Sequence, residues 1–406
     1  MEALTIQTPK RIKMEYTNTE ESWQENSAEG TEFEPGSLFE QFTFLLDPRM
    51  PRGKRYSLAL ILTLIVSAKL CGEDTPIAIA DWAKNRAAVI IAKELHLTYL
   101  RMPHHSTYRR ILEIVDNLKL EERGREYLKG LKKDKPGEVV AIDGKTLRGT
   151  RERDEERGDH MLAAYLPEQE LLIAQVAVEN KENEIVGAPK LLEAIDLAGK
   201  VLTADAMHTQ KELSRQAVEK GGDYLFPAKE NQKHVFEAIE RLFAPDQPKP
   251  GFGKVQNDFV TDIWQGKPKH GRIEKRTLTC SCLLNDYLDW PYLAQVYKLE
   301  RHFSWIYKGA IIKTSNETEY GITSLSRKKA SPRRLNQIRR MYWGIETKLH
   351  YRRDVTFHED ATRMTRPGAG RNLSVIHNLV LGIISHCGYR NAAEARRFFS
   401  ANTLQA

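Results

Sequence analysis

Hydrophobic spacing divides the chain into stretches of different period. Residues 1–37 are polar and Glu-rich with no sustained period, and are expected to be disordered. From 38 to about 132 apolar residues recur at helical spacing. Phe39, Phe42, Phe44 and Leu45 lead, and helices are predicted over 58–71, 77–95 and 107–120. The apolar run 58–66 is too short to cross a membrane, ends in Ser67, Ala68 and Lys69, and reads as a buried helix. From 137 the period is that of strands. A β-branched run ends at Asp143 and turns at Gly144, and a hairpin follows, MLAAYL turning through Pro167, Glu168 and Gln169 into LLIAQVAVE. Next come a helix over 188–197, a strand leading to Asp205, a helix from about 210 to 220, and the strand DYLFPA. The rhythm changes again between 231 and 326. A Pro- and Gly-rich loop over 245–253 precedes the strand-like runs KVQNDFV, RIEKRTLTCSCLL, QVYKLERHF and EYGITSL. From 331 to about 399 the pattern is helical, with a buried helix over 373–386.

The order β-β-β-α-β-α-β is the one a ribonuclease-H-like core requires. The predicted fold is therefore α/β: a ribonuclease-H-like mixed sheet with a β-rich insertion, preceded by a helical N-terminal domain. Its expected divisions are an acidic tail (1–37), the helical domain (38–132), the first part of the catalytic core (133–230), the insertion (231–326) and a helical C-terminal part of the core (327–399).

Two strand ends carry carboxylates: Asp143 in VVAIDGKTLRG and Asp205 in VLTADAMHT. An aspartate at the end of a buried strand sits at the rim of a sheet, where ligands and metals are met. Two of them on neighbouring strands repel each other unless a cation lies between them. That is the arrangement of a divalent-metal phosphoryl-transfer site. Taken alone, either residue also reads as a turn former or helix N-cap. A third acid, Glu346, lies in RRLNQIRRMYWGIETKLHYRRDVTFHED. At helical spacing Ile338, Met341, Ile345 and Leu349 form one stripe, and Arg339, Tyr342, Glu346, His350 and Arg353 form a second. The bland alternative is an Arg-rich surface helix with an incidental glutamate.

These blocks resemble the H-repeat-associated insertion-sequence transposases, a family of the DDE superfamily. The resemblance runs from about 38 to 399 through ordered matches: LLDPRMPRGKRYSLALILTLIVSAKLCGEDTPIAIADWA, PHHSTYRRIL, VVAIDGKTLRG, KENEI, LTADAMHTQ, GGDYLFPAKENQ, HGRIEKR and WGIETKLH…DVTFHEDATR. It implies that Asp143, Asp205 and Glu346 are the catalytic triad and the metal ligands. It also implies double-stranded DNA as partner (terminal inverted repeats and target), a homodimer on that DNA, and an insertion that contributes DNA contacts. An all-carboxylate donor set favours magnesium or manganese over zinc, two ions to a site, which would cut a strand and join its end to a target with no protein nucleophile. The chain departs from the wider group's signature of Tyr, Arg, Glu and Lys, having Arg339, Tyr342, Glu346 and Arg353, so only the glutamate matches. It also has Tyr342 and Tyr351 where the nearer family has His and Trp.

Charge adds to this picture. The chain of 406 residues carries a formal +7, but residues 1–35 hold eight acids against three bases, so the remainder is near +12 and densely basic over 327–371. Such a body suits a polyanionic partner; ordinary solubility charge is the competing explanation. The four cysteines, Cys71, Cys280, Cys282 and Cys387, form no disulfide framework or zinc spacing, and a reduced, cytoplasmic protein without a membrane segment is expected.

Further candidate DNA contacts are Lys145 and Arg148 after the first aspartate, Lys229 and Gln232 in PAKENQ, and Arg339, His350 and Arg353 beside Glu346. His270, Arg272 and Arg276 alternate in a presumed strand and would share one face. Trp264 could stack on an extruded base or fill a core, and His208 is expected to orient rather than ligate. A structure-selective nuclease of the same fold and a DNA-binding regulator descended from a transposase are the alternative functions.

Overall fold

In a computed structural model, the structure describes residues 35–402, apart from 53, 94, 96–100, 132–134, 152–157, 179–182, 245–257, 363 and 367. The expected disorder of the tail up to residue 34, the loop over 245–253 and the first part of KVQNDFV lie outside the described residues.

The alternating stretches build one nine-stranded mixed sheet. Its strands are β1 (Val139–Thr146), β2 (His160–Leu166), β3 (Leu171–Val178), β4 (Val201–Thr203), β5 (Asp223–Ala228), β6 (Val260–Gln265), β7 (Arg272–Ser281), β8 (Gln295–Tyr307) and β9 (Ala310–Thr323), in the spatial order β3-β2-β1-β4-β5-β9-β8-β7-β6. The first five form the ribonuclease-H-like core: β1 pairs antiparallel with β2, β2 with β3, and β1-β4-β5 are parallel. The β-rich insertion continues this sheet, because β9 pairs antiparallel with β5 over Leu225–Ala228. It forms an antiparallel meander whose β8 and β9 run on well beyond that contact.

Twelve helices among the described residues cover the sheet. They are α1 (Pro35–Thr43), α2 (Leu58–Leu70), α3 (Pro76–Lys93), α4 (His105–Ile114), α5 (Asn117–Leu131), α6 (Glu184–Glu193), α7 (Lys211–Glu219), α8 (Lys233–Phe243), α9 (Pro332–Gly344), α10 (Tyr351–Val355), α11 (Ala369–His386) and α12 (Ala392–Ala401). Helix α2 is apolar all round, and all of its 13 residues are buried. That is the placement such a helix requires. Its N-cap is Ser57, which accepts from the Leu60 N–H. Burial of Lys69 is met by an ion pair to Asp74 at 3.4 Å. No helix among the described residues is long and apolar enough to cross a membrane.

Alternation along the central strands separates two cores. Val140, Ile142, Leu202, Tyr224 and Phe226 join a cluster that includes α1 to α5, α11 and α12. Val139, Val201 and Leu225 point to the other face, against Leu278, Tyr297 and Leu299 of the insertion and Leu335 and Ile338 of α9. Helix α9, which leads to Glu346, is thus clamped between the core strands and the insertion.

Three local expectations change. Strand β1 does not turn at Gly144 but runs to Thr146, because β2 keeps it paired as far as His160. Helix α6 begins at Glu184 rather than 188, because Asn183 caps it by accepting from the Val186 N–H. Strand β6 starts at Val260, where the run KVQNDFV was expected to end.

Candidate active site

The site opens where the parallel pairing of the core stops. Strand β4 pairs with β1 only over Val139–Ala141, so Asp143 lies two residues beyond the last pair, held on its other side by β2 opposite Ala163. Asp205 lies two residues past the end of β4. It also does the humbler work open to such a residue: Oδ1 caps a short 3₁₀ turn (Ala206–His208), accepting from the Met207 N–H at 3.0 Å and the His208 N–H at 3.4 Å. Both carboxylates are part-exposed.

Glu346 arrives from the opposite side. Helix α9 ends at Gly344, and the next six residues, Ile345–His350, wind as a π turn before α10. Such turns occur often at functional sites. Ile338, Ile345 and Leu349 are buried as the stripe required, and Glu346 is exposed. The charges of all three acids are felt at one phenol. Burial, followed by the charges of Asp143 and Asp205 and then that of Glu346, drives the Tyr342 hydroxyl far above its ordinary pKa, against the opposing effect of Arg339. Tyr342 therefore stays a neutral hydroxyl among them. His350 Nε2 lies 3.2 Å from Asp143 Oδ2, without the alignment of a hydrogen bond. Among the described residues no lysine or arginine pairs with Asp143, Asp205 or Glu346.

A fourth acid, which sequence reading passed over inside KENEI, sits beneath the site. Glu184, in the first turn of α6, accepts from His160 Nε2 at 2.8 Å and from His208 Nε2 at 3.0 Å. Burial by itself would raise its pKa; the two imidazole contacts prevail and hold it down at about 2. The signal was present: Asn183 is a good N-cap residue, and the first turn of a helix favours an acid.

Several expected DNA contacts are internal. Arg339 is buried and forks onto Glu319 of β9, Nε to Oε1 at 2.8 Å and Nη2 to Oε2 at 2.9 Å. Its Nη1 donates to Thr203 Oγ1 and to the Ala204 carbonyl, on the approach to Asp205. Arg353 is fully buried and paired with Glu359 and Ser374. Arg276 faces the core of β7 and lies against Glu274. The expectation that these three reach phosphates is corrected: each lies on a face covered by a second layer, where an unpaired guanidinium is costly. Lys145 is buried too, held by Asp354 at 2.5 Å and Asp360 at 3.7 Å. Gln232 donates inward to the Thr209 carbonyl at 2.9 Å, closing the loop after Asp205.

Arg148 and Lys229 stand at the rim. The Arg148 side chain is 81% exposed, with Asp360 at 3.8 Å, and Lys229 is exposed after β5. Arg272 and Arg276 share one face of β7, as expected, but differ in exposure, and His270 lies outside the strand. His270 precedes β7 in a left-handed turn, Arg272 is exposed over the Phe303 ring, and Arg276 is buried. Trp264 is stacked by Arg340, whose Cζ lies 3.6 Å from the ring centroid. With Lys267, Lys269, His270, Arg272, Trp305 and one acid, Glu274, they line an open, mostly basic cavity of about 560 Å³ between the insertion and α9.

No group of three His, Cys, Asp or Glu side chains among the described residues is packed tightly enough to cage a metal. Magnesium does not demand such a cage, because it keeps several waters and is held by one or two carboxylates together with substrate phosphates. The oxygen-only donors Asp143, Asp205 and Glu346 fit a hard divalent cation and do not fit zinc.

Comparison with known proteins shows the family. The profile of the Transposase DDE domain matches residues 134–382, and the profile DDE_Tnp_1-associated matches residues 39–128. The "H repeat-associated putative transposase YhhI" of Escherichia coli (strain K12) is 26% identical over 363 residues, covering 86% of this chain and 90% of that protein. The "Putative transposase YncI" of the same strain is 31% identical over 242 residues, covering 59% of this chain and 94% of that protein. Among solved structures, the piggyBac transposase in its synaptic complex with hairpin DNA aligns with 94% of this chain and 80% of its own at 11% identity and a TM-score of 0.39. Since the catalytic-domain profile spans more than half of its length and follows the ribonuclease-H-like core found here, the chain belongs to the DDE transposase family.

Proposed function

We propose that this transposase cuts the ends of an insertion sequence and joins them to target DNA, with Asp143, Asp205 and Glu346 as its catalytic carboxylates. The observation that carries the proposal is the placement of these acids, beyond the β4-paired part of β1, past the end of β4 and on the π turn after α9, where the charge of each bears on the Tyr342 phenol. DDE transposases generally use divalent metal ions, and the three carboxylates supply donors for two magnesium or manganese ions. When bound, such a pair would activate the attacking water or 3′-hydroxyl and stabilise the leaving oxygen of an in-line displacement.

The remaining work falls to the chain itself. His350 Nε2 lies beside the Asp143 carboxylate, 3.2 Å from Oδ2. Arg339 braces Thr203 and Ala204, and so fixes the approach to Asp205. Tyr342 remains protonated and offers its O–H within the anionic site. Arg148 and Lys229 flank the acids as exposed cations suited to the phosphates beside the scissile bond. The mostly basic cavity between the insertion and α9 suits the phosphates of duplex DNA away from the cut. A homodimer on DNA and action in the cytoplasm, where that DNA is, complete the proposal.

A strand-transfer assay with terminal inverted repeats in magnesium tests it. Cleavage followed by joining is expected. Cutting without joining would make the protein a nuclease, and binding without cutting would leave a regulator.

A further inference from the structure

Glu184 sits where three segments of the site meet. Its Oε1 accepts from His160 on β2 at 2.8 Å, and its Oε2 accepts from His208 at 3.0 Å, three residues after Asp205. His160 Nδ1 in turn accepts from the Thr146 hydroxyl at 2.8 Å, at the end of β1. The carboxylate also fills the space over Gly144, the neighbour of Asp143: a methyl group built there would overlap it. The Gly144 backbone is not left-handed, so glycine is required there for room and not for conformation. A carboxylate is acceptor-only, so each ring places a proton on Nε2. Both Glu184 oxygens then accept from protein donors, so the fold holds the carboxylate by each of its oxygens.

We propose that Glu184 is a positioning residue that ties the strand carrying Asp143 to the loop carrying Asp205, setting the separation of the two aspartates before metal and DNA arrive. The proposal rests on the assignment of those aspartates as metal ligands made above. The physical reason is the mutual repulsion of two carboxylates at a strand edge, which would otherwise widen the gap between them. Groups that orient metal ligands from behind typically cost about 10–100-fold in metal affinity when removed.

The test measures manganese binding to the full-length protein by electron paramagnetic resonance, without DNA and without turnover. Glu184→Ala is expected to weaken manganese binding about 10–100-fold. Its DNA affinity should stay within about twofold and, because the ligands themselves remain, cleavage should recover at high manganese. Glu184→Gln is expected to bind manganese within about threefold of wild type. Its amide can accept from His160 and donate to His208, whose proton is free to move to the unpartnered Nδ1. Gly144→Ala, which displaces the carboxylate but keeps it, should weaken manganese binding like Glu184→Ala, yet add little in the Glu184→Ala background. This variant carries the test if Glu184→Ala does not fold. Wild-type manganese affinity in folded Glu184→Ala or Gly144→Ala, alongside loss in Asp143→Asn and Asp205→Asn, overturns the positioning role and leaves the proposed function standing. Equal manganese affinity in wild type, Asp143→Asn and Asp205→Asn overturns the assignment of the site itself.

Discussion

Arg339→Ala distinguishes an arginine that binds DNA from one that holds the fold. Its guanidinium makes two parallel bonds to Glu319, at 2.8 and 2.9 Å, and reaches Thr203 and the Ala204 carbonyl at 3.2 and 3.3 Å. Removing one partner of a buried ion pair costs about 3–5 kcal/mol, because the other charge stays behind uncompensated. The Glu319 side chain is 18% exposed and keeps the Tyr297 hydroxyl at 3.0 Å, which places the expected loss near the lower end, about 3 kcal/mol. Lysine at 339 would keep the charge and lose the fork, for roughly half that loss. Chemical denaturation reads the stability.

The second readout is the salt dependence of duplex binding. Each phosphate contact contributes about 0.9 to the slope of log affinity against log salt. An internal Arg339 predicts a slope identical to wild type. A slope reduced by about one, with unfolding free energy unchanged, would refute the structural role and return this residue to the DNA interface.

Other outcomes follow from the same geometry. Asp143→Asn, Asp205→Asn and Glu346→Gln should each abolish metal-dependent cleavage while duplex binding survives in a mobility-shift assay; near-wild-type cutting by any one removes that residue from the triad. Arg272→Ala and Arg340→Ala, exposed at the cavity of the insertion, should each lower the salt slope by about one without loss of stability, read by the same titration. Burial raises the Glu121 carboxyl from 4.5 to about 7. The folded state therefore holds a proton that the unfolded chain releases, and stability falls as pH rises from about 4.5 to 7, by up to about 3 kcal/mol. Glu121→Gln should abolish that fall, so equal pH dependence of unfolding in both proteins would refute it. Deleting the acidic residues 1–34 should tighten binding to random duplex at low salt, where screening is weak, and equal affinities would make the tail inert.

The order of elements is legible because each core strand contains a short apolar run. Alternation along β1 even separates its two faces, with Val139 and Val140 entering different cores. Asp143 and Asp205 were legible for the same reason, since each follows such a run. What periodicity could not reveal is how many layers cover a helix face. The second stripe of α9 reads as open because it is polar, whereas the insertion returns through β9 and puts Glu319 over Arg339. Glu184 was missed because helix α6 was started at an apolar residue, although Asn183 marks the true start.

The misplaced cations bear on the site's chemistry. Lys145 is paired with Asp354 and Asp360, Arg339 with Glu319, and Arg353 with Glu359, so each buried positive charge is matched by an acid of its own. None of these is left to offset the charges of Asp143, Asp205 and Glu346, and the ring of His350 lies beside Asp143. A surface binder would have no use for three such carboxylates, because they repel a phosphate backbone that the surrounding basic body attracts. Their repulsion from DNA is removed only if cations enter with it. On the proposed reading the demand for divalent ions is set by the pairing of the residues around the acids as much as by the acids themselves, and replacing both Asp354 and Asp360 with asparagine, which would free Lys145, should lower the magnesium concentration needed for half-maximal cleavage.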